Sequence, residues 1–73
     1  MADKPGELSK LVAVATDLAL DARLRKQAIE LIGRVGNHDA LLALLDLAAK
    51  QQLTRGEREV ALKHAREIIR MER

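Results

Sequence analysis

Apolar residues recur along this chain at the spacing of one face of an α-helix, in four stretches separated by polar residues or glycine. The stretches cover residues 7–20, 22–35, 38–52 and 55–73. A return after three or four residues is typical of an amphipathic helix. Thirteen leucines and twelve alanines favour the same structure, because both residues are strong helix formers. The pattern therefore predicts an all-α chain of four helices.

The apolar face of each helix gives a predicted core. In the third helix, leucine and alanine cover most of the circumference and leave only Asp46 and Lys50 as a polar edge. A helix that is apolar nearly all round is buried or lies at an interface, so we expect this helix to be central. The residues expected to face inward in the other helices are Leu8, Leu11, Val12, Ala15, Leu18 and Ala19, then Leu24, Ala28, Leu31, Ile32 and Val35, and finally Ala61, Leu62, Ala65, Ile68 and Ile69.

Capping residues mark the predicted boundaries. Asp21 and Asn37 precede the second and third helices, where their side chains can accept hydrogen bonds from free backbone amides. Gly36 ends the second helix, since glycine adopts the left-handed conformation at little cost. Thr54 and Glu57 have the spacing of a capping box at the start of the fourth helix. The short connections predict antiparallel neighbours, which fits both an up-down bundle and two stacked hairpins.

The two halves of the chain are similar to each other. A shift of 30 residues aligns residues 11–15 with 41–45, and a shift of 33 aligns Arg25 with Arg58. An insertion of three residues near 51–53 reconciles the two shifts. A period in the thirties is typical of helical-hairpin repeats.

One stretch of the chain carries a more specific pattern. It contains an aspartate, an apolar–arginine pair, an alanine–apolar pair, an apolar–glycine ending, a Gly-Asn turn and a leucine-rich helix. This pattern resembles the HEAT repeat, and in particular the short HEAT-like repeats first described in phycobilisome lyases. The matching residues are Asp21, Leu24-Arg25, Ala28-Ile29, Ile32-Gly33, Val35-Gly36-Asn37 and Leu41-Leu42.

The resemblance implies an α-α superhelix made of two stacked helical hairpins. Helices 1 and 3 would then be outer helices, and helices 2 and 4 would line a concave surface. In such a family Asp21 and Arg25 would stabilise the stack, Ala28 would let two helices approach, and Gly33 would leave room at a helix crossing. Thr54 stands where the second repeat would carry aspartate, so we do not expect a regular ladder of Asp–Arg pairs.

The length of 73 residues predicts a single domain. We expect residues 1–6 to form a flexible leader, 7–36 the first hairpin and 37–73 the second. The chain has no cysteine, which excludes disulfides and thiolate metal sites. The N-terminus lacks the apolar stretch of a signal peptide, and no apolar run approaches the roughly 20 residues of a membrane span. A cytoplasmic protein without membrane contact is expected.

Thirteen basic against eleven acidic residues give a net charge of +2, and there are no aromatic residues on which bases could stack. Basic residues nevertheless recur on the polar faces of the second and fourth helices. If these helices are neighbours, the residues form a basic face for an acidic peptide or a nucleic acid. The structural alternative is a solvated face, since Glu30 and Glu59 lie four residues before Arg34 and Lys63, a spacing that favours ion pairs along a helix, and Glu67 dilutes the basic residues. The residues are Arg23, Lys26, Arg34, Lys63, Arg66, Arg70 and Arg73.

The sequence favours no catalytic, metal or cofactor site. Two histidines, His38 and His64, without cysteine make a poor zinc ligand set. Ser9, Thr16 and Thr54 are the only hydroxyl side chains, and Thr54 is already assigned as a helix cap. No phosphate-binding or dinucleotide glycine pattern occurs. We therefore expect a protein that is not an enzyme and takes no cofactor.

Val60, His64 and Met71 lie outside the main apolar arc of the fourth helix and share one side. In a repeat stack such residues would contact another unit, so we expect this edge to support a homodimer or another contact. The leading functional prediction is a scaffold that binds another protein. The alternatives are a nucleic-acid-associated module and an accessory to an enzyme, the last suggested by the lyase resemblance.

Overall fold

A computed structural model of the protein describes residues 5–72, and this part of the chain is entirely helical apart from its connections. Residues 1–4 of the predicted leader and Arg73 of the predicted basic face lie outside the described residues. The prediction of an all-α fold is confirmed. The helices are α1 (Pro5–Ala15), α2 (Ala22–Val35), α3 (His38–Ala48) and α4 (Arg55–Glu72).

The predicted helix caps are confirmed. The Asp21 carboxylate accepts a hydrogen bond from the backbone N–H of Leu24 at 3.0 Å, and the Asn37 side chain accepts one from Ala40 at 2.8 Å. Gly36 ends α2 with a φ of 68°, in the left-handed region that favours glycine. Since these local signals flank α2 on both sides, its bounds agree with the prediction.

The first helix differs from the prediction at both ends. It begins at Pro5, inside the predicted leader, because proline is favoured at the first position of a helix. It ends at Ala15 and not at residue 20. The Thr16 hydroxyl donates to the carbonyl of Val12, and the Asp17 carboxylate accepts from the N–H of Ala19 at 2.9 Å, which forms a turn instead. Leu18 and Ala19, predicted to face inward, are exposed in this turn.

The third helix ends at Ala48, four residues earlier than predicted. A six-residue connection follows, in which Leu53 is buried against the core. The prediction that α3 is the central helix is wrong, because Leu42 and Leu45 remain exposed on its surface. The helix that packs extensively against both of its neighbours in the stack is α2, which contacts α1 and α4 and also α3.

The four helices form two stacked hairpins and not an up-down bundle. In such a bundle the first and last helices are neighbours, but α1 and α4 make no contact between their described residues. The helix α2 lies beside α4 instead. Near the start of both helices Arg25 contacts Glu57, and further along Gly33 faces His64, so α2 and α4 run in the same direction.

A single shift of 33 residues relates the two hairpins. It superposes the bounds of α1 on those of α3 and the start of α2 on the start of α4. Both inter-helix connections within the hairpins, residues 16–21 and 49–54, have six residues. The predicted shift of 30 residues and the insertion near residue 51 are therefore wrong. Leucine and alanine dominate α1 and α3, and such runs align equally well at several offsets.

The core lies between the two hairpins and within each of them. Besides Leu18, four leucines and isoleucines that were predicted to face inward are exposed by about two fifths or more: Leu24, Leu31, Leu62 and Ile69. All four are exposed because they lie on sides of α2 and α4 that the other hairpin does not cover. The fully or nearly fully buried apolar residues are Ala15, Ala28, Ile29, Ile32, Ala40, Leu41, Leu44, Leu47, Leu53, Ala61, Ala65 and Ile68.

Candidate interaction surfaces at the ends of the stack

A buried ion pair joins the two hairpins. The Arg25 Nε and Nη2 atoms each lie 2.9 Å from Oε2 of Glu57, and the Glu57 side chain is completely buried. Another guanidinium nitrogen of Arg25 donates to the carbonyl of Leu20, in the connection before α2. Arg25 therefore links its own hairpin connection to the first turn of the next inner helix. Arg25, expected to stabilise the stack, contacts the other hairpin through Glu57, whereas Asp21 serves as a helix cap.

The fold places the Glu57 carboxylate with little freedom. Glu57 is the third residue of α4, and its Oε1 accepts a hydrogen bond from the N–H of Thr54 at 2.9 Å. In return the Thr54 hydroxyl accepts from the N–H of Glu57 at 3.2 Å. The predicted capping box is confirmed, and it also aims the second carboxylate oxygen at Arg25.

Gly33 and His64 form the second point of close approach between α2 and α4. A Cβ atom at position 33 would lie 2.6 Å from Nδ1 of His64 and 3.0 Å from its Cβ. These distances are too short for any real side chain, so the imidazole occupies the space that the missing side chain leaves. The prediction that Gly33 leaves room at a helix crossing is confirmed.

These contacts define a forward face on the first hairpin, formed by Val12, Arg25 and Ile29. Arg25 and Gly33, one turn before and after Ile29, both contact α4, so Ile29 faces α4 as well. Val12 lines a groove together with Asp39 and Ala43 of α3. All three forward residues therefore point toward the second hairpin, and Ile29 is completely buried there.

The same face recurs on the second hairpin without a cover. The 33-residue shift takes the forward face to Leu45, Arg58 and Leu62. Leu62 is 44% exposed, although its equivalent Ile29 is 0% exposed. Leu45 is exposed too, and Ile69 continues the apolar strip two turns beyond Leu62. The prediction that Leu62 and Ile69 face inward is wrong, because they lie on the side of the second hairpin that no described residue covers.

Next to Leu62 the forward face of the second hairpin has an open groove of about 340 Å³. Arg58 lies in the groove and repeats part of the pattern of Arg25, because its Nε donates to the carbonyl of Ala48 at the end of α3. The two terminal nitrogens of its guanidinium have no carboxylate within ion-pair distance among the described residues. The lining residues are Ala48, Arg55, Arg58, Glu59 and Leu62.

The opposite end of the stack shows the complementary pattern. Glu57 and His64 of α4 face back toward the first hairpin, and the shift takes them to Leu24 and Leu31 of α2. Leu24 and Leu31 are 41% and 48% exposed, because no hairpin covers them among the described residues. We call this surface the backward face of the first hairpin. The prediction that both leucines face inward is wrong for the same reason as at Leu62.

The predicted basic residues within the described chain lie on two neighbouring helices. Lys26 is partly buried, and its side chain passes beside Gly56 of α4. Neither Glu30–Arg34 nor Glu59–Lys63, the pairs predicted from their spacing, reaches ion-pair distance. The predicted basic residues of α2 and α4 therefore lie on adjoining helices, and none of them forms an ion pair with an acidic residue among the described residues. The exposed ones are Arg23, Arg34, Lys63, Arg66 and Arg70.

The predicted self-association edge is not one continuous exposed surface. Val60 is partly buried and packs against the core. The His64 side chain is 22% exposed and lies over Gly33, with Glu67 at 3.6 Å. Only Met71 of the three is fully accessible, at 81% exposure. Five other exposed apolar residues, Leu24, Leu31, Leu45, Leu62 and Ile69, lie on the forward and backward faces, and Val14, Leu18 and Leu42 are exposed outside both faces.

The described residues contain no group of three or more His, Asp or Glu side chains arranged to hold a metal ion. His38 lies 3.7 Å from Glu72, at the open end of the second hairpin. No described helix is both long enough and apolar enough to cross a membrane.

Comparisons with protein-family models, with curated proteins and with solved structures find no match for this chain.

Proposed function

We propose that this protein is a small HEAT-like scaffold that binds another protein through an end of its two-hairpin stack. One observation carries the proposal: an apolar residue of the first hairpin that is covered by the second hairpin has an uncovered equivalent on the second hairpin. Ile29 is buried and Leu62 is half exposed, although both occupy the same position of the repeat. Exposed apolar strips at defined positions are typical of interaction surfaces.

The proposal includes a cytoplasmic location and a role without catalysis. Self-association through the backward face is part of it, since the exposed apolar residues Leu24 and Leu31 suit a second copy as well as a different protein. An accessory role beside an enzyme, suggested by the lyase resemblance, would use the same surfaces.

Site-specific photocrosslinking in cells tests the proposal. A photoreactive residue replaces Leu62 on the forward face, Leu31 on the backward face, or Glu67, an exposed position on the side of α4. We expect discrete protein adducts from position 62 or 31 and none from 67. A product of twice the 8.1 kDa chain mass would identify self-association. Identical smears from all three positions, or no adducts, would contradict the proposal.

The adjoining basic residues of α2 and α4 support a second candidate, an association with nucleic acid. Binding through phosphates must weaken steeply as salt rises, because it releases counterions. A mobility-shift assay at low salt tests this candidate, with Arg66→Glu/Arg70→Glu as the variant and Arg55→Glu, on the forward groove, as the control. Absence of binding by the unmodified chain at low salt would exclude it.

A further inference from the structure

We propose that the forward face of the second hairpin receives a helix of another protein that carries a carboxylate at the third position of its first turn, and that Arg58 binds this carboxylate. The proposal rests on the proposed function, and it names the chemistry of the partner at the same face. The inference is drawn from the contact between the two hairpins of this chain, in which α4 stacks on α2.

The contact between α2 and α4 shows how an arginine and an apolar residue on one hairpin are covered by a stacked helix. Arg25 projects forward, and its guanidinium binds the carboxylate of Glu57, the third residue of the helix stacked upon it. Ile29 packs beside this pair and becomes completely buried. A helix stacked at the position that α4 occupies therefore brings both an acid and an apolar contact.

Arg58 and Leu62 repeat Arg25 and Ile29 after 33 residues. Arg58 also donates to a carbonyl of its own hairpin, but through Nε to Ala48 at 2.9 Å, whereas Arg25 uses a terminal nitrogen to reach Leu20 and keeps Nε for Glu57. A carboxylate at Arg58 would therefore bind its terminal nitrogens. Its terminal guanidinium nitrogens have no carboxylate within ion-pair distance among the described residues. Arg58 lines the groove together with Arg55, which adds positive charge, and Glu59, which partly offsets it. A partner that covers Leu62 must also cover Arg58.

Covering Arg58 decides which partner fits. A guanidinium that loses water without gaining a carboxylate is costly, whereas a matching carboxylate offsets that cost. Charge complementarity at the groove thus selects for an acid at the position of Glu57. The apolar residues Leu45, Leu62 and Ile69 contribute the area of the contact.

A second unmodified copy does not meet this requirement. If another chain stacked head to tail, its backward face would place Leu24 opposite Arg58, since Leu24 is the equivalent of Glu57. Leu24 offers no carboxylate. The same equivalence shows how a suitable probe can be made from the chain itself.

The probe is the chain with Leu24→Glu, and the matched control is the chain with Leu24→Gln. Both carry Leu62→Asp, which disables their own forward face. Position 24 is exposed and is the third residue of α2, behind the Asp21 cap, where a glutamate favours the helix. Circular dichroism confirms that each probe is folded before it is used.

Unlabelled probe is titrated into the ¹⁵N-labelled unmodified chain at concentrations up to the millimolar range. We expect saturable shifts of the Arg58 Nε–H signal and of the Leu45 and Leu62 amides with the Leu24→Glu probe. The dissociation constant should be about tenfold higher or more with the Leu24→Gln probe, which is the discrimination expected of a hydrogen-bonded charge. Arg58→Gln in the labelled chain should abolish the difference between the probes.

Equal affinity for the two probes, shifts confined to other surfaces, or no shifts at all would overturn the assignment of Arg58. Shifts caused equally by an unmodified chain as the probe would show that the face takes a second copy instead, which would also overturn it. None of these outcomes bears on the crosslinking at position 62, so a protein-binding role can stand when this inference fails.

Discussion

Arg25 on the first hairpin and Glu57 on the second form an ion pair that is buried between two parallel helices, with Nη2 and Oε2 2.9 Å apart. The pair is a hydrogen-bonded contact between α2 and α4, beside which Ile29 is completely buried. Its atoms are bonded in both hairpins, to the carbonyl of Leu20 and to the N–H of Thr54. It therefore fixes the register in which the hairpins stack.

Breaking this pair from one side should destabilise the protein. In Glu57→Gln the amide can still accept from Thr54, but Arg25 loses its counter-charge while it stays buried. We expect the free energy of unfolding to fall by about 3 kcal/mol. Urea denaturation followed by circular dichroism measures the loss.

Two variants serve as controls for that change. Glu59→Gln alters an exposed carboxylate two residues later and should change the free energy of unfolding by less than about 0.5 kcal/mol. The double variant Arg25→Met/Glu57→Met should be more stable than the sum of its single changes indicates, since it leaves no buried charge unpaired. Strict additivity in this cycle would refute a direct coupling of the two side chains.

Gly33→Ala should also destabilise the stack. The new methyl group would lie 2.6 Å from Nδ1 of His64, so α2 and α4 must separate or the imidazole must move. We expect a loss of about 1–3 kcal/mol from overpacking, which the better helix propensity of alanine only partly offsets. Thermal and urea unfolding measure the effect.

Gly56→Ala is the matched control, because the nearest atoms to a Cβ there are the end of the Lys26 side chain at 3.6 Å. It should be neutral or slightly stabilising. Adding His64→Ala to Gly33→Ala should recover most of the loss that the glycine substitution causes. If Gly33→Ala alone were as stable as the unmodified chain, the close approach of Gly33 to His64 would be refuted.

Equivalent positions of the two hairpins should respond differently to the same kind of truncation. Ile29→Ala removes a completely buried side chain and should cost about 2–5 kcal/mol. Leu62→Ala removes its half-exposed equivalent and should cost clearly less. Unfolding by urea at matched temperature compares the two. Equal costs would show that the forward face of the second hairpin is covered in solution.

The capping box should contribute measurably to α4. Thr54→Ala removes the hydroxyl that accepts from the N–H of Glu57, and we expect a loss of about 1 kcal/mol. Thr54→Ser keeps the acceptor and should retain most of the stability. A loss of the same size in Thr54→Ser would mean that the methyl group, and not the hydrogen bond, accounts for the effect.

Local signals in the sequence predicted the helix caps and the bounds of α2. The end of α1 was mispredicted, because Leu18 and Ala19 continue the helical spacing even though the Asp17 side chain forms a turn with the N–H of Ala19. The apolar composition of α3 likewise suggested a central helix, although Leu42 and Leu45 face solvent. Apolar spacing reports which residues share a side, but not how far a helix extends.

The role of Arg25 could have been predicted from its position. It falls in the same arc as Ala28, Ile29 and Ile32, at intervals of three and four residues, so it must share their buried face. A charged residue in a buried arc needs a partner. The choice of Glu57 could not be predicted, because it depends on the register between the two hairpins.

The sequence by itself determined that this protein is helical and where most of its helices begin. Only the tertiary structure decided which apolar residues are covered. Leu62 and Ile29 have the same local pattern around them, yet one is exposed and the other is buried. The physical reason is that a helix carries more than one apolar side, and burial of each side depends on whether another hairpin stacks against it.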